Sequence, residues 1–190
     1  MIGDGRSLGS GPVTLGGKAG PGHAMCLCNQ SAMTVANAIE LAGITGATVD
    51  GNCPTFEGVR GEAADNPAAA TEIDTAGGDL RLTGSISGTG GILKTGDNAL
   101  ILAGENRYAG ATTVAKGTLS LAGPHSLAPA AEVSVAEGAA LELNFQGEMG
   151  IARLTLGGKA QPAGKYTAAT AGGFVKGAGS LTVQAGGGGR

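Results

Sequence analysis

The chain has no tryptophan, and its tyrosines and phenylalanines together number five. A core built on aromatic clusters is therefore excluded. Charge is sparse: 12 basic and 15 acidic side chains in 190 residues give a formal −3, and the basic residues are scattered. That balance argues against a nucleic-acid-binding module, which needs a concentrated positive face. No run of 18 apolar residues occurs, so no helix is expected to span a bilayer. The stretch after Met1 is polar and glycine-rich, without a basic n-region or an apolar h-region, so no signal peptide is expected. Three cysteines, Cys26, Cys28 and Cys53, are too few for a disulfide scaffold and leave one thiol over in any pairing.

What the chain does have is glycine, 38 residues in all, with no strict three-residue period and hence no collagen-like helix. Between the glycines lie short apolar triplets: Leu80-Arg81-Leu82, Ile92-Leu93-Lys94, Leu100-Ile101-Leu102, Thr112-Thr113-Val114, Leu119-Ser120-Leu121, Val133-Ser134-Val135, Leu141-Glu142-Leu143, Leu154-Thr155-Leu156 and Leu181-Thr182-Val183. Earlier come Val13-Thr14-Leu15 and Ile39-Glu40-Leu41. Most alternate apolar and polar with period two, which turns one face of a short strand inward. Such runs are too short for an amphipathic helix. A sandwich or barrel would tolerate the spacing. The very short strands and the small, similar interior residues favour a coil-stacking β-solenoid, in which no single coil buries its apolar face alone. Thr, Ser, Lys and Arg within the runs are expected on the solvated face.

Weak internal similarity supports stacking. Ser7 to Leu15 is similar to Ser126 to Val135, and Ala38 to Leu41 to Ala140 to Leu143. The two offsets differ, so His23 to Cys28 reads as an insertion. The resulting organisation has partial N-terminal coils at 1–50, an irregular loop or insertion at 51–76, the main β-helix at 77–183 and a flexible Gly-rich tail at 184–190. The chain is expected to begin and end partway through repeats, as a fragment without full caps.

From Gly84 the pattern becomes specific. Residues 88–119 read Gly-Thr-Gly-Gly-Ile-Leu-Lys-Thr-Gly-Asp-Asn-Ala-Leu-Ile-Leu-Ala-Gly-Glu-Asn-Arg-Tyr-Ala-Gly-Ala-Thr-Thr-Val-Ala-Lys-Gly-Thr-Leu. This resembles the autotransporter-associated β-strand repeat, G-x-G-x-L-x-K-x-G-x-x-x-L-x-L-x-G-x-N-x-Y-x-G-x-T-x-V-x-x-G-x-L. It departs at Ile92, in the first Leu position, and at Asp97-Asn98-Ala99, where Gly-Thr is common. The resemblance covers about a sixth of the chain strictly and more of it loosely. It implies a right-handed parallel β-helix of passenger type, serving as a stalk segment of a secreted or surface protein of a bacterium. It also implies an extracellular or outer-membrane-associated location, reached through further domains. The motif residues Asn106, Tyr108, Gly110, Thr112 and Val114 are then structural. Gly104, Gly110 and Gly117 would form corners closed to a Cβ. Asn106 would bond its own turn or stack in a ladder, and Tyr108 would cover a thin glycine corner. Neighbouring coils are the expected partners.

Candidate chemistry is thin. Zinc prefers C-x₂-C spacing and four ligands, whereas His23-Ala24-Met25-Cys26-Leu27-Cys28 offers C-x-C and one nearby histidine. Glycoside cleavage needs two acids flanking one bond, yet Asp74, Asp79, Asp97, Glu105, Glu132, Glu137, Glu142 and Glu148 are scattered singly. Gly5-Arg6-Ser7-Leu8-Gly9 has the spelling of a nucleophile elbow but lacks the strand before and the helix after it. His125 precedes Ser126 with no acid close in sequence. The reading therefore assigns no catalytic residue, no cofactor, no metal and no enzymatic activity. Two alternatives stay open: an adhesin-like or glycan-binding module that uses an exposed β-face and the loop at 51–71 against a host-cell or glycan surface, and a carbohydrate-active β-helix enzyme.

Uncapped coils stack on fewer neighbours, so the N-terminal third is expected to be the less stable part. Hydrogen exchange on the 190-residue chain checks this. Amides at 5–45 should exchange faster than those at 80–140, and equal protection would point to a self-contained domain.

Overall fold

The computed structural model describes residues 11–18, 26–28, 32–45 and 70–184. Among them every regular element is a strand, and the strands stack as rungs of a parallel β-helix. The physical cause is the period-two pattern repeated at near-constant spacing. Ile92, Thr112, Val133 and Leu154 fall in register on successive rungs, about 20 residues apart.

One face carries seven strands: Cys26–Cys28, Ala70–Asp74, Gly91–Thr95, Thr112–Val114, Glu132–Val135, Arg153–Leu156 and Lys159–Ala160. A second carries six: Met33–Val35, Leu80–Leu82, Ala99–Leu102, Thr118–Leu121, Ala140–Leu143 and Val175–Gly177. The third side holds two shorter sheets. Val13–Lys18, Ile39–Thr45 and Ile86–Gly88 form one, and Glu148–Ile151, Ser180–Val183 and Gly164–Tyr166 form the other. Beyond Ile86–Gly88 the third side continues without regular strand. There Arg107 N–H donates to Ile86 O (2.7 Å) and Ala109 N–H to Gly88 O (2.9 Å).

In-register stacking turns each inward position into a file. Leu80, Leu100, Leu119, Leu141 and Val175 make one on the six-stranded face, with Leu82, Leu102, Leu121 and Leu143 in the next. All nine are buried. Like side chains at one level leave few voids, so small aliphatics suffice where aromatics are scarce. The outward positions between them include the exposed Arg81, which pairs with Ile101 on the next rung. Across the seven-stranded face Thr113, Ser134 and Thr155 align half-exposed.

Several expectations change. A strand occupies Ala70–Asp74, inside the stretch expected to be irregular through 76, and Thr71 to Thr75 are buried. Its period-two signal is masked because Thr71 and Ile73 alternate with the acids Glu72 and Asp74, which are themselves covered. Cys26–Cys28, read as part of an insertion, is a rung in register with Glu72 to Asp74. Lys94, expected in water, lies inside. At the C-terminal edge Lys159–Ala160 and Gly164–Tyr166 pair antiparallel with their neighbours and end the parallel pattern on two sides. The remainder of the 51–76 stretch, 51–69, lies outside the described residues, as do Ser7, His23, Cys53 and the tail after Gln184.

Leu102 is fully buried between Leu82 and Leu121, whereas Arg107 is exposed. Leu102→Asp places an unpaired carboxylate in the core at a cost of several kcal/mol and should unfold the stack. Arg107→Ala should change stability by no more than about 0.5 kcal/mol. Thermal melts of the two variants check this, and equal losses would contradict the placement.

Candidate functional site

Of the motif residues, Asn106, Tyr108 and Gly110 lie where the third side lacks a regular strand, and Thr112 and Val114 lie on the strand that follows. Asn106 is buried. Its Oδ1 accepts from Ile86 N–H on the rung before (2.9 Å), and its Nδ2 donates to Ser126 O on the rung after (2.8 Å). Its own N–H donates to His125 O (3.0 Å). One amide thus binds three successive rungs, supplying bonds that an irregular backbone leaves unmade. Ser126, buried beside it, donates its hydroxyl to Leu102 O (2.9 Å) and accepts from Gly123 N–H (3.0 Å). That hydroxyl is held in a turn.

Tyr108 is 2% exposed, packed within the core, and its hydroxyl shares a 2.6 Å hydrogen bond with Thr112 Oγ1. Burial raises the phenol well above its ordinary value. The neighbouring Val114 is also buried. Gly110 and Gly104 serve close approach: a Cβ on Gly110 would strike the Gly91 backbone, and one on Gly104 the Gly84 carbonyl. Gly117 has in addition a left-handed φ of 69° over the Gly96 corner, a conformation that glycine reaches without strain.

A second buried polar centre lies at the corner that follows Gly91–Thr95. Lys94 is 0% exposed, and its stem lies in the inward file between Ile73 and Val114. Its Nζ donates to Thr95 O (2.7 Å), Gly96 O (2.8 Å) and Lys116 O (2.9 Å). Burial is the largest influence on this amine and lowers it to about 8, against opposing pulls from Asp74, Asp97 and Asp79 and with a smaller push from Lys116. At the same corner Thr75 Oγ1 donates to Asn98 O (2.9 Å), and Asn98 Nδ2 returns a bond to Thr75 O (2.7 Å). The phase set by Ile92 pointed Lys94 inward; its charge argued for the opposite side.

The scattered acids occupy separate structural posts. Asp74 Oδ1 accepts from Ala76 N–H (2.9 Å), and Asp79 Oδ1 from Ala99 N–H (2.8 Å). Asp97 pairs with Lys116 at 3.1 Å, and Glu132 with Arg153 at 3.6 Å. Glu148 accepts from Thr182 and Lys165, which hold its carboxyl below the usual range, Thr182 chiefly. Among the described residues no three His, Cys, Asp or Glu side chains are grouped to hold a metal. A surface depression of about 510 Å³ is lined by Glu105, Asn106, Arg107, His125, Ala128 and Pro129. It lies on the irregular third side, where Glu105, Arg107 and His125 are exposed. No helix among the described residues is long and apolar enough to cross a membrane.

Part of the chain is similar to known proteins. Residues 92–121 match the Passenger-associated-transport-repeat family. The chain is 37% identical over 91 residues, 47% of its length, to the Adhesin BmaC autotransporter of Brucella suis biovar 1 (strain 1330). It spans 3% of that relative's length. No solved structure matches.

Replacing Asn106 tests the amide that spans the rungs. Asn106→Ala orphans Ile86 N–H and Ser126 O in a buried place, at about 1–3 kcal/mol per group. Denaturant unfolding should show a loss of roughly 2–6 kcal/mol. A loss below about 0.5 kcal/mol, within the range of neutral surface changes, would show that water or relaxed backbone replaces the amide.

Proposed function

We propose, from a chain that carries an autotransporter passenger repeat, that it is a non-enzymatic stalk segment of a bacterial passenger displayed on or released from the cell surface. The observation that supports this best is the use of Asn106. The side chain that the repeat pattern singles out is wholly occupied in joining rungs. Tyr108 and Thr112 likewise bond each other inside the core. Residues that build each rung onto the next make an extended spacer, and each added rung lengthens it by about 4.8 Å.

A second reading has its own support. The relative is named an adhesin, and the depression flanked by Glu105, Arg107 and His125 offers exposed polar groups on the irregular side. Its volume lies in the range of small-ligand sites. On this reading the segment itself contacts a glycan or a host-cell surface.

Binding of the purified chain to a glycan array and to cultured host cells separates the two. The stalk reading expects no saturable binding. Saturable binding that disappears in the Arg107→Ala/His125→Ala double variant, with the fold intact by circular dichroism, would replace it with the adhesin reading.

A further inference from the structure

Lys94 is fully buried, and no carboxylate among the described residues lies within ion-pair distance of it. The charged groups facing it, Asp74, Asp79, Asp97 and Lys116, act through space. What touches the nitrogen is backbone: the carbonyls of Thr95 and Gly96 from its own corner and of Lys116 from the corner of the next rung, at 2.7, 2.8 and 2.9 Å. An ammonium group has three N–H donors and no acceptor, and here three acceptors surround it. Corner carbonyls in a solenoid this narrow turn away from the strand ladders, and a buried carbonyl without a donor is costly. Thr95 O already accepts from Thr75 N–H (3.1 Å) and from Thr75 Oγ1 (3.2 Å). Gly96 O and Lys116 O depend on Lys94 more heavily.

The geometry points to a carbonyl cage between two rungs that is a binding site for a primary ammonium cation, filled in the native chain by the tip of Lys94. The cage selects by shape as well as by charge. A guanidinium is planar and presents its donors in a fork, which does not match three carbonyls gathered around one nitrogen. A methyl-capped cation carries no N–H at all. The surrounding stem channel is apolar, with Ile73 and Val114 in register on either side. A short alkyl chain on the ammonium should therefore add affinity through buried methylenes.

Lys94→Ala removes three methylenes and the amine, which is the outline of propylammonium. In the full 190-residue chain this variant should melt at least about 5 °C below the wild type, since each kcal/mol lost shifts a domain of this size by a few degrees. Propylammonium chloride should recover half or more of that loss. Sodium chloride and tetramethylammonium chloride at equal ionic strength should recover none beyond their effect on the wild type. Lys94→Met, which fills the channel without donors, and Lys94→Arg, which keeps the charge, should both melt lower than the wild type. Equal recovery by tetramethylammonium, no recovery by propylammonium, or a Lys94→Met variant as stable as the wild type would each overturn the cage. If Lys94→Ala does not fold, the wild type decides through its lysine ¹⁵Nζ resonances. One ammonium with slowly exchanging protons, lost in Lys94→Met, is expected. Solvent-rate exchange at every lysine would overturn the proposal.

Discussion

Rung-on-rung hydrogen bonding is the constraint on which the rest of the molecule depends. A single rung of about 20 residues contributes two or three short strands, none able to bury its inward side chains alone. Parallel pairing in strict register places Leu80, Leu100, Leu119 and Leu141 at one level of the core and repeats this along the axis. Because each inward position faces its equivalent above and below, side-chain size must stay nearly constant along a file. A chain with five aromatics and 38 glycines satisfies this without difficulty.

The same constraint creates a difficulty at the corners and on the irregular third side. Strands satisfy their own backbone groups, whereas turns do not. Several of the polar side chains buried among the described residues answer that shortage. Asn106 serves Ile86 and Ser126, Ser126 serves Leu102, Thr75 serves Thr95 and Asn98, and Lys94 serves three corner carbonyls. Each crosses from one rung to another. The polar interior therefore acts as a set of ties along the axis, and the apolar interior fills the space between them. Glycine does the complementary work at Gly117, where a left-handed turn sits directly over the Gly96 corner.

This division of labour bears on function. Side chains that carry chemistry elsewhere, a buried lysine, a tyrosine hydroxyl and a serine beside a histidine, are here engaged by the backbone or by each other. The solvent-facing side chains among the described residues include rows such as Thr113, Ser134 and Thr155 and isolated ion pairs. Exposed pairs of this kind contribute little to stability. The two antiparallel strands at the C-terminal edge alter one end of the stack in a way that parallel rungs do not, because they leave a different set of edge groups.

The sequence by itself determined the all-β class and the inward Leu and Val files from Leu80 onward. These features follow from period and spacing, which survive without knowledge of what lies opposite. The tertiary structure decided the rest, because partners 20 or more residues apart are invisible to a local pattern. The strand at Ala70–Asp74 was hidden by two acids whose cover comes from outside their own segment. The antiparallel closure could not be read from triplets, which look alike in either direction. Lys94 is the sharpest case. Its charge predicts water, and its place after Ile92 predicts the core. The core prevails because the stacked corners at 95, 96 and 116 bring three carbonyls to one point, and a solvated charge gives way where its hydration shell is replaced donor for acceptor.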